Sequence, residues 1–177
     1  MRQVAATLFP HAERRVIERS AFRPAQPFRG ALFELLFAQP VGACVGIVVP
    51  IALVGVGVPS AASHRLVAVA DHVNLTLRSP LSGRWSGGAA RAFPALTGVY
   101  QPAVVRACGG ARVYCGGVVV AGVTDVGRLT PFEAGALRET GVFAVSDSLV
   151  PSAIIAAYYG LTLAACGVPR ADDHHDE

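Results

Sequence analysis

Few side chains in this sequence are of the type and spacing that do chemistry. Asp71 and His72 are adjacent at the end of an apolar run, residues 66–70. A carboxylate beside an imidazole can form an acid–base pair, because histidine titrates near neutrality. The same two residues suit a structural role, with the imidazole bonded to a loop carbonyl, and their context favours that role. Cys108 stands before Gly109-Gly110 and could be a nucleophile, yet no His–acid partnership accompanies it. His174-His175, flanked by acids, could hold a metal loosely; a solvated tail explains the pair more simply. The four cysteines, Cys44, Cys108, Cys115 and Cys166, form no C-x-x-C pair, so the usual zinc and redox spacings are missing. Gly116-Gly117 and Gly55-x-Gly57 lack the Lys-Ser/Thr or G-x-G-x-x-G context of a phosphate loop. No metal and no cofactor is expected.

The elements that must position these residues come from a chain of 177 residues, a length that fits one domain. At 53% hydrophobic and 15% charged it has the material for a core with strands covered on both faces, and global disorder is excluded. The net charge is +3 and all the basic charge is Arg. The densest cluster is Arg14, Arg15, Arg19, Arg23 and Arg29, short of the basic stripe that a nucleic-acid binder carries. Cys44 and Cys166 sit in apolar runs and read as buried thiols, so a reduced, intracellular setting is expected. Asn74-Leu75-Thr76 matches a glycosylation sequon, which matters only in a secreted protein. The early apolar stretch, residues 4–9, is too short for a signal peptide. The uncharged run 40–58 is long enough to cross a membrane, but Pro50 interrupts it. It reads instead as two buried strands, 43–49 and 51–56, broken at Pro50, and no membrane association is expected.

Three parts are expected: an Arg-rich, partly ordered arm (1–29), a domain (30–171) and an acidic, His-containing tail (172–177). Residues 30–37 have helical character, and residues 66–70 read as a strand ending at Asp71. Residues 78–92 read as a loop and 118–121 as a strand. Thr130-Pro131-Phe132-Glu133 is a capping box with Pro at the first helical position; its helix runs to about Thr140, and Gly141 ends it. Residues 143–146 form a strand, Pro151 opens a helix through Tyr159, Gly160 closes it, and 161–166 form the last strand. The alternation predicts a single α/β domain, with a mixed, mostly parallel sheet and flanking helices.

Several segments, in order, resemble the trimeric purine nucleoside phosphorylases. Residues 67–75 (VAVADHVNL) resemble that family's strand ending in "DHINL". Ser79-Pro80-Leu81-x-Gly83, then Ala92-Phe93-Pro94-Ala95-Leu96 with Tyr100, resemble its "NPLxG … RFPxMxxxY" loop. Residues 118–122 (VVVAG) resemble "YVxVAGP", and residues 141–152 (GVFAVSDSLVPS) resemble "GADAVGMSTVPE". Residues 153–161 (AIIAAYYGL) resemble "VIVARHxGL". The likeness covers roughly residues 30–171 and implies a truncated nucleoside phosphorylase-like fold.

The departures fall on the family's working residues. Ala52-Leu53-Val54-Gly55 occupies the place of an Asn-Ala-Ala-Gly stretch, so the Asn is lost. Leu129 stands where the family reads the purine with Glu, while Thr130 and Glu133 survive. Asp147 replaces the Met that contacts ribose, and the Asn after the last strand falls near Ala171. The Gly-Ser-Gly phosphate loop has no counterpart, and the expectation is that the chain starts after the strand that carries it. Phosphorolysis needs aligned donors for phosphate and for the charge that develops on the purine. Leu129 offers no donor, and Asp147 would repel phosphate. The resemblance therefore implies a vestigial pocket at Asp71, His72, Leu129 and Asp147 and no catalysis. The alternatives are a nucleoside or base binder without turnover, and a divergent nucleosidase in which Asp71, His72 and Asp147 supply the polar groups.

A second resemblance, carried by residues 12–17, 71–77 and 97–105, is to a small nuclear phosphoprotein family of alphaherpesviruses. It implies a nuclear, phosphorylated accessory protein; a cytoplasmic location stays open. With chemistry lost, function is expected at a surface, with a protein partner and possible homo-oligomers. The arm is the candidate, through Arg14, Arg15, Arg19, Phe22, Arg23, Phe28 and Arg29, because Arg and aromatic residues are enriched in interface cores.

Overall fold

Pro50, expected to break a strand, lies inside one. The computed structural model describes residues 37–39, 44–54, 66–81, 94–158 and 160–169. Within them the order is β1 (Phe37–Gln39), β2 (Cys44–Leu53), β3 (Leu66–Asn74), α1 (Pro102–Gly109), β4 (Val113–Gly122), α2 (Pro131–Glu139), β5 (Ala144–Ser146), α3 (Leu149–Tyr158) and β6 (Thr162–Pro169). β2 runs unbroken through Pro50 because of what flanks it. On one side β6 pairs with Cys44 to Ile51; on the other, β1 pairs only with Cys44 to Gly46, and β5 only with Ala52 and Leu53. The Pro50 carbonyl accepts a bond from Ser146 Oγ at 3.1 Å. A residue's amide and carbonyl point the same way in a strand, so the missing N–H falls in the gap before β5 begins to pair and costs no ladder bond.

The expected α/β domain with a mixed sheet and flanking helices is present, but the sheet closes on itself. The strand order is β1-β2-β5-β4-β3-β6, and β6 also pairs with β2, giving a mixed barrel with β1 appended. The long ladders, β2–β6 and β3–β4, are parallel, as is β4–β5. The antiparallel contacts are short. Side chains from all five ring strands, among them Ile51, Val69, Val120, Ala144 and Leu163, meet in one cluster, into which α3 packs Leu149, Ala153 and Ala156. α1 covers a second cluster through Val105, and α2 a third through Ala134 and Leu137.

Other boundaries shift for local reasons. Phe37 starts β1, so it is not helical; the rest of the helix expected at 30–37 lies outside the described residues, as do the arm and the tail. β3 continues past Asp71 to Asn74: its burial changes from continuous to alternating at Ala70, where the register with β4 shifts, and pairing goes on from Asp71. β4 starts at Val113, five residues before the expected strand, and passes through Gly116-Gly117 by a bulge, with Gly117 at φ +71°. α1 was not foreseen. α2 has its predicted capping box: Glu133 N donates to Thr130 Oγ1, and Thr130 N donates to Glu133 Oε2. α3 starts two residues before Pro151. The buried Ser146 Oγ accepts from Ser148 N and Leu149 N and so satisfies its first turn. The uncharged run 40–58 is β2 over its described middle, and no helix among the described residues is long and apolar enough to cross a membrane.

Candidate functional site

The carboxyl ends of the parallel strands β3, β4 and β5 lie together, the region where open α/β sheets place ligands. The residues singled out from the sequence divide into two groups there. Asp71 and His72 are on β3, and Leu129 and Asp147 are near β4 and β5, with β4 between the two groups.

A bulge decides where His72 points. The β3–β4 register shifts between Val67 and Val69 and again between Val69 and Asp71. The first shift takes two extra residues on β4 and keeps the faces; the second takes one extra residue on β3 and exchanges them. Val67 and Val69 face the main cluster, and after the bulge His72, paired beside Val120, faces it too; Asp71 and Val73 are exposed. A polar ring brought to an apolar face needs a partner. It finds one in Tyr100: the hydroxyl lies 2.8 Å from Nδ1, and the rings meet edge to face at 5.5 Å. The expected partner, a loop carbonyl, is thus replaced by a tyrosine hydroxyl. Burial lowers the His72 pKa, with Asp71 opposing, while burial and Asp71 both push the Tyr100 hydroxyl up. Both shifts favour the neutral forms, so the contact is a neutral hydrogen bond whose donor is set by the imidazole tautomer. The Asp71 carboxylate accepts from the backbone N–H of His72 at 2.8 Å. Asp71 therefore serves the strand backbone.

Leu129 turns into an apolar cluster with Val54, Ala121, Val142 and Val145, under Ala134 and Leu137 of α2. Asp147 is exposed just after β5. Beside Leu129 is an open hollow of about 480 Å³, lined by apolar Leu75, Leu129 and Leu137 and by charged Asp125, Arg128 and Glu133. Asp125 accepts from Gly127 N and pairs with Arg128 at 3.2 Å. The sequence reading missed Tyr100 as a partner, this hollow, and Ser146. Only Ser146 had a local signal, a Ser-x-Ser run before an apolar stretch.

Cys44 and Cys166 are buried free thiols, as expected. Burial pushes the Cys166 thiol up to about 12, which removes it as a nucleophile near neutrality. Cys108, on α1, packs against the second cluster. Among the described residues no three His, Cys, Asp or Glu side chains converge as a metal site would require.

Solved structures share this arrangement. One is the Schistosoma purine nucleoside phosphorylase in complex with guanosine: 21% identity, TM-score 0.57, 71% of this chain and 48% of that one covered. Another is the Schistosoma mansoni enzyme in complex with inosine: 20% identity, TM-score 0.58, 76% of this chain and 51% of that one covered. The fold is that of a nucleoside phosphorylase. The chain spans about half the length of these solved structures. No protein-family model and no curated protein sequence matches it.

Proposed function

We propose that this nucleoside phosphorylase-like domain does not carry out phosphorolysis and works as an accessory protein through its surface. The observation that carries the reading is the packing of Leu129 with Val54, Val142 and Val145. By the sequence resemblance, Leu129 stands where the family has the Glu that reads the purine and Ala52, packed against the same cluster, where it has the Asn. Apolar side chains closed on one another offer no donor to a developing charge. The neighbours that bind guanosine and inosine thus lend this chain their fold, and we do not extend their turnover to it. The surface proposed for partner contact is the Arg-rich arm, docking an acidic protein or steering nuclear import.

One observation favours a second reading, a base or nucleoside binder without turnover: the open hollow of about 480 Å³ beside Leu129. A single pair of measurements separates the readings. Clean recombinant protein is assayed for free base released from inosine, guanosine, adenosine and methylthioadenosine, with and without phosphate, and titrated calorimetrically with the same nucleosides. The preferred reading expects neither release nor heat. Heat without release favours the binder, release without phosphate a nucleosidase, and phosphate-dependent release refutes the proposal. Deleting residues 1–27 should leave the domain folded and abolish partner recovery or nuclear accumulation; retention of both would remove the arm as the working surface.

A further inference from the structure

Among the described residues the large apolar side chains that stand exposed are Val73, Leu75, Leu77 and Phe132. They gather around one hollow, the one beside Leu129. Leu75 lines it, and Val73 and Leu77 lie two residues to either side of Leu75. Phe132 precedes Glu133 and stands one turn of α2 before Ala136, and both of those residues line the hollow. Leu77 is 92% exposed at φ +52°, a region in which a branched apolar residue is uncommon. Its turn holds it there: Asn74 Oδ1 accepts from Thr76 N at 3.1 Å and Asn74 Nδ2 donates to Arg78 O at 2.9 Å, one bond on each side of Leu77. An apolar patch of this extent marks a place of contact.

The charged groups of the hollow are already engaged within the chain. Asp125 pairs with Arg128 at 3.2 Å and accepts from Gly127 N; Glu133 accepts from Thr130 N and Thr130 Oγ1 in the cap of α2. Thr140 Oγ1 donates to Leu137 O. Thr124 is exposed to water, and Arg78 is exposed outside the lining. A charged occupant would compete with these internal pairs, whereas an apolar one leaves them intact. The backbone is engaged too: Leu75 N donates to Gly122 O, so the strand ends beside the hollow are paired with each other and offer no ladder to an extended peptide. Recognition there falls to side chains.

We propose that this face docks an amphipathic helix of a partner protein, with apolar anchors in the hollow and no charge in the contacting stripe. The turn after β3 and α2 form two ridges with the hollow between them, and a helix laid in a groove presents anchors at i, i+3 or i+4 and i+7. The apolar border runs from Leu77 to Phe132, past the hollow itself, and so offers more contact than a small ligand in a pocket uses. The fixed turn spares the complex the entropy of ordering Leu77. The inference deepens the accessory reading and rests on it.

The test is selection from a displayed library, one helical scaffold with the positions of a single face randomised, panned against the full chain. Selected helices should share an uncharged apolar stripe at i, i+3 or i+4 and i+7, and inosine should not displace them. Leu77→Asn, a change to a residue that accepts the left-handed conformation, and Phe132→Ser should keep the wild-type melting temperature. Each should weaken a selected helix roughly 10-fold. Phe132→Ser gives the same reading if Leu77→Asn folds poorly. A library without binders, a stripe that carries charge, displacement by inosine, or binding unchanged in both variants overturns the proposal. So does sedimentation in which the wild-type chain self-associates and Leu77→Asn does not, because a second copy then occupies the face. Phosphate-dependent release of base would instead refute the accessory reading, and neither variant bears on that outcome.

Discussion

The Tyr100 hydroxyl and Nδ1 of His72 lie 2.8 Å apart and tie the segment before α1 to the far half of β3. The Tyr100 backbone is held separately: Gln101 N donates to Leu163 O and Leu163 N donates to Val99 O, a bridge to β6. His72 thus reports on the junction of three segments, and its pKa is lowered by burial.

That shift predicts an acid sensitivity. Above the ordinary histidine value of about 6.5, folded and unfolded chains both hold a neutral imidazole, and His72 adds no pH dependence. As pH falls below that value the unfolded chain takes up the proton first, so stability declines until the lower folded pKa is passed. Urea midpoints should fall between pH 7 and pH 5. In His72→Asn, whose amide oxygen can still accept from Tyr100, that slope should flatten; an identical slope would show that another group causes it.

Thr130 tests the cap of α2. Replacement by Ala removes the acceptor for Glu133 N and should cost about 1 kcal/mol, the usual loss at an N-cap. An unchanged denaturation midpoint would count against the cap as a stabilising device.

Ser146 joins three elements from one hydroxyl, donating to Pro50 O and accepting from Ser148 N and from Leu149 N, the first amide of α3. It is fully buried. Ser146→Ala leaves a carbonyl and two amides short of a partner, and should cost about 1–3 kcal/mol. Chemical denaturation would show it; a loss no larger than that of an exposed Ser→Ala control would rule the role out.

Gly122 marks where α3 meets β4. A Cβ there would lie 2.5 Å from Val150 Cγ2 and 3.0 Å from Val150 Cβ. Gly122→Ala should destabilise by about 1–3 kcal/mol through overpacking. Val150→Ala in the same chain should recover part of that loss, so the two changes should not be additive. Additive losses would mean that the two residues do not press on one another.

What could be read from the sequence was local. The cap at Thr130 and Glu133, the glycine at 141 and the apolar runs of β5 and β6 each carry their signal within a few residues. The fold likeness was also legible, because the segments that end strands and cap helices keep their order. What was hidden depends on distant partners. Pro50 reads as a break unless the gap in its second ladder is known. The face of His72 depends on a bulge set by the β4 register, and its partner Tyr100 is 28 residues away. The closure of the barrel through β2 and β6 leaves no local trace at all.

That closure has a consequence for how the chain comes to be folded. Cys44 pairs with Thr162 and Ile51 with Pro169, so the first long strand of the described residues finds its longest ladder in the last. During synthesis β2 emerges well before β6 and stays without that neighbour until β6 follows it. Its valines and isoleucines are exposed for that interval, and pairings this far apart in sequence form slowly. A nascent chain stalled before residue 162 holds an open, apolar strand edge, the kind of surface on which chaperones act. The abundance of this protein in a cell should therefore depend more on the supply of chaperones than its final stability would suggest.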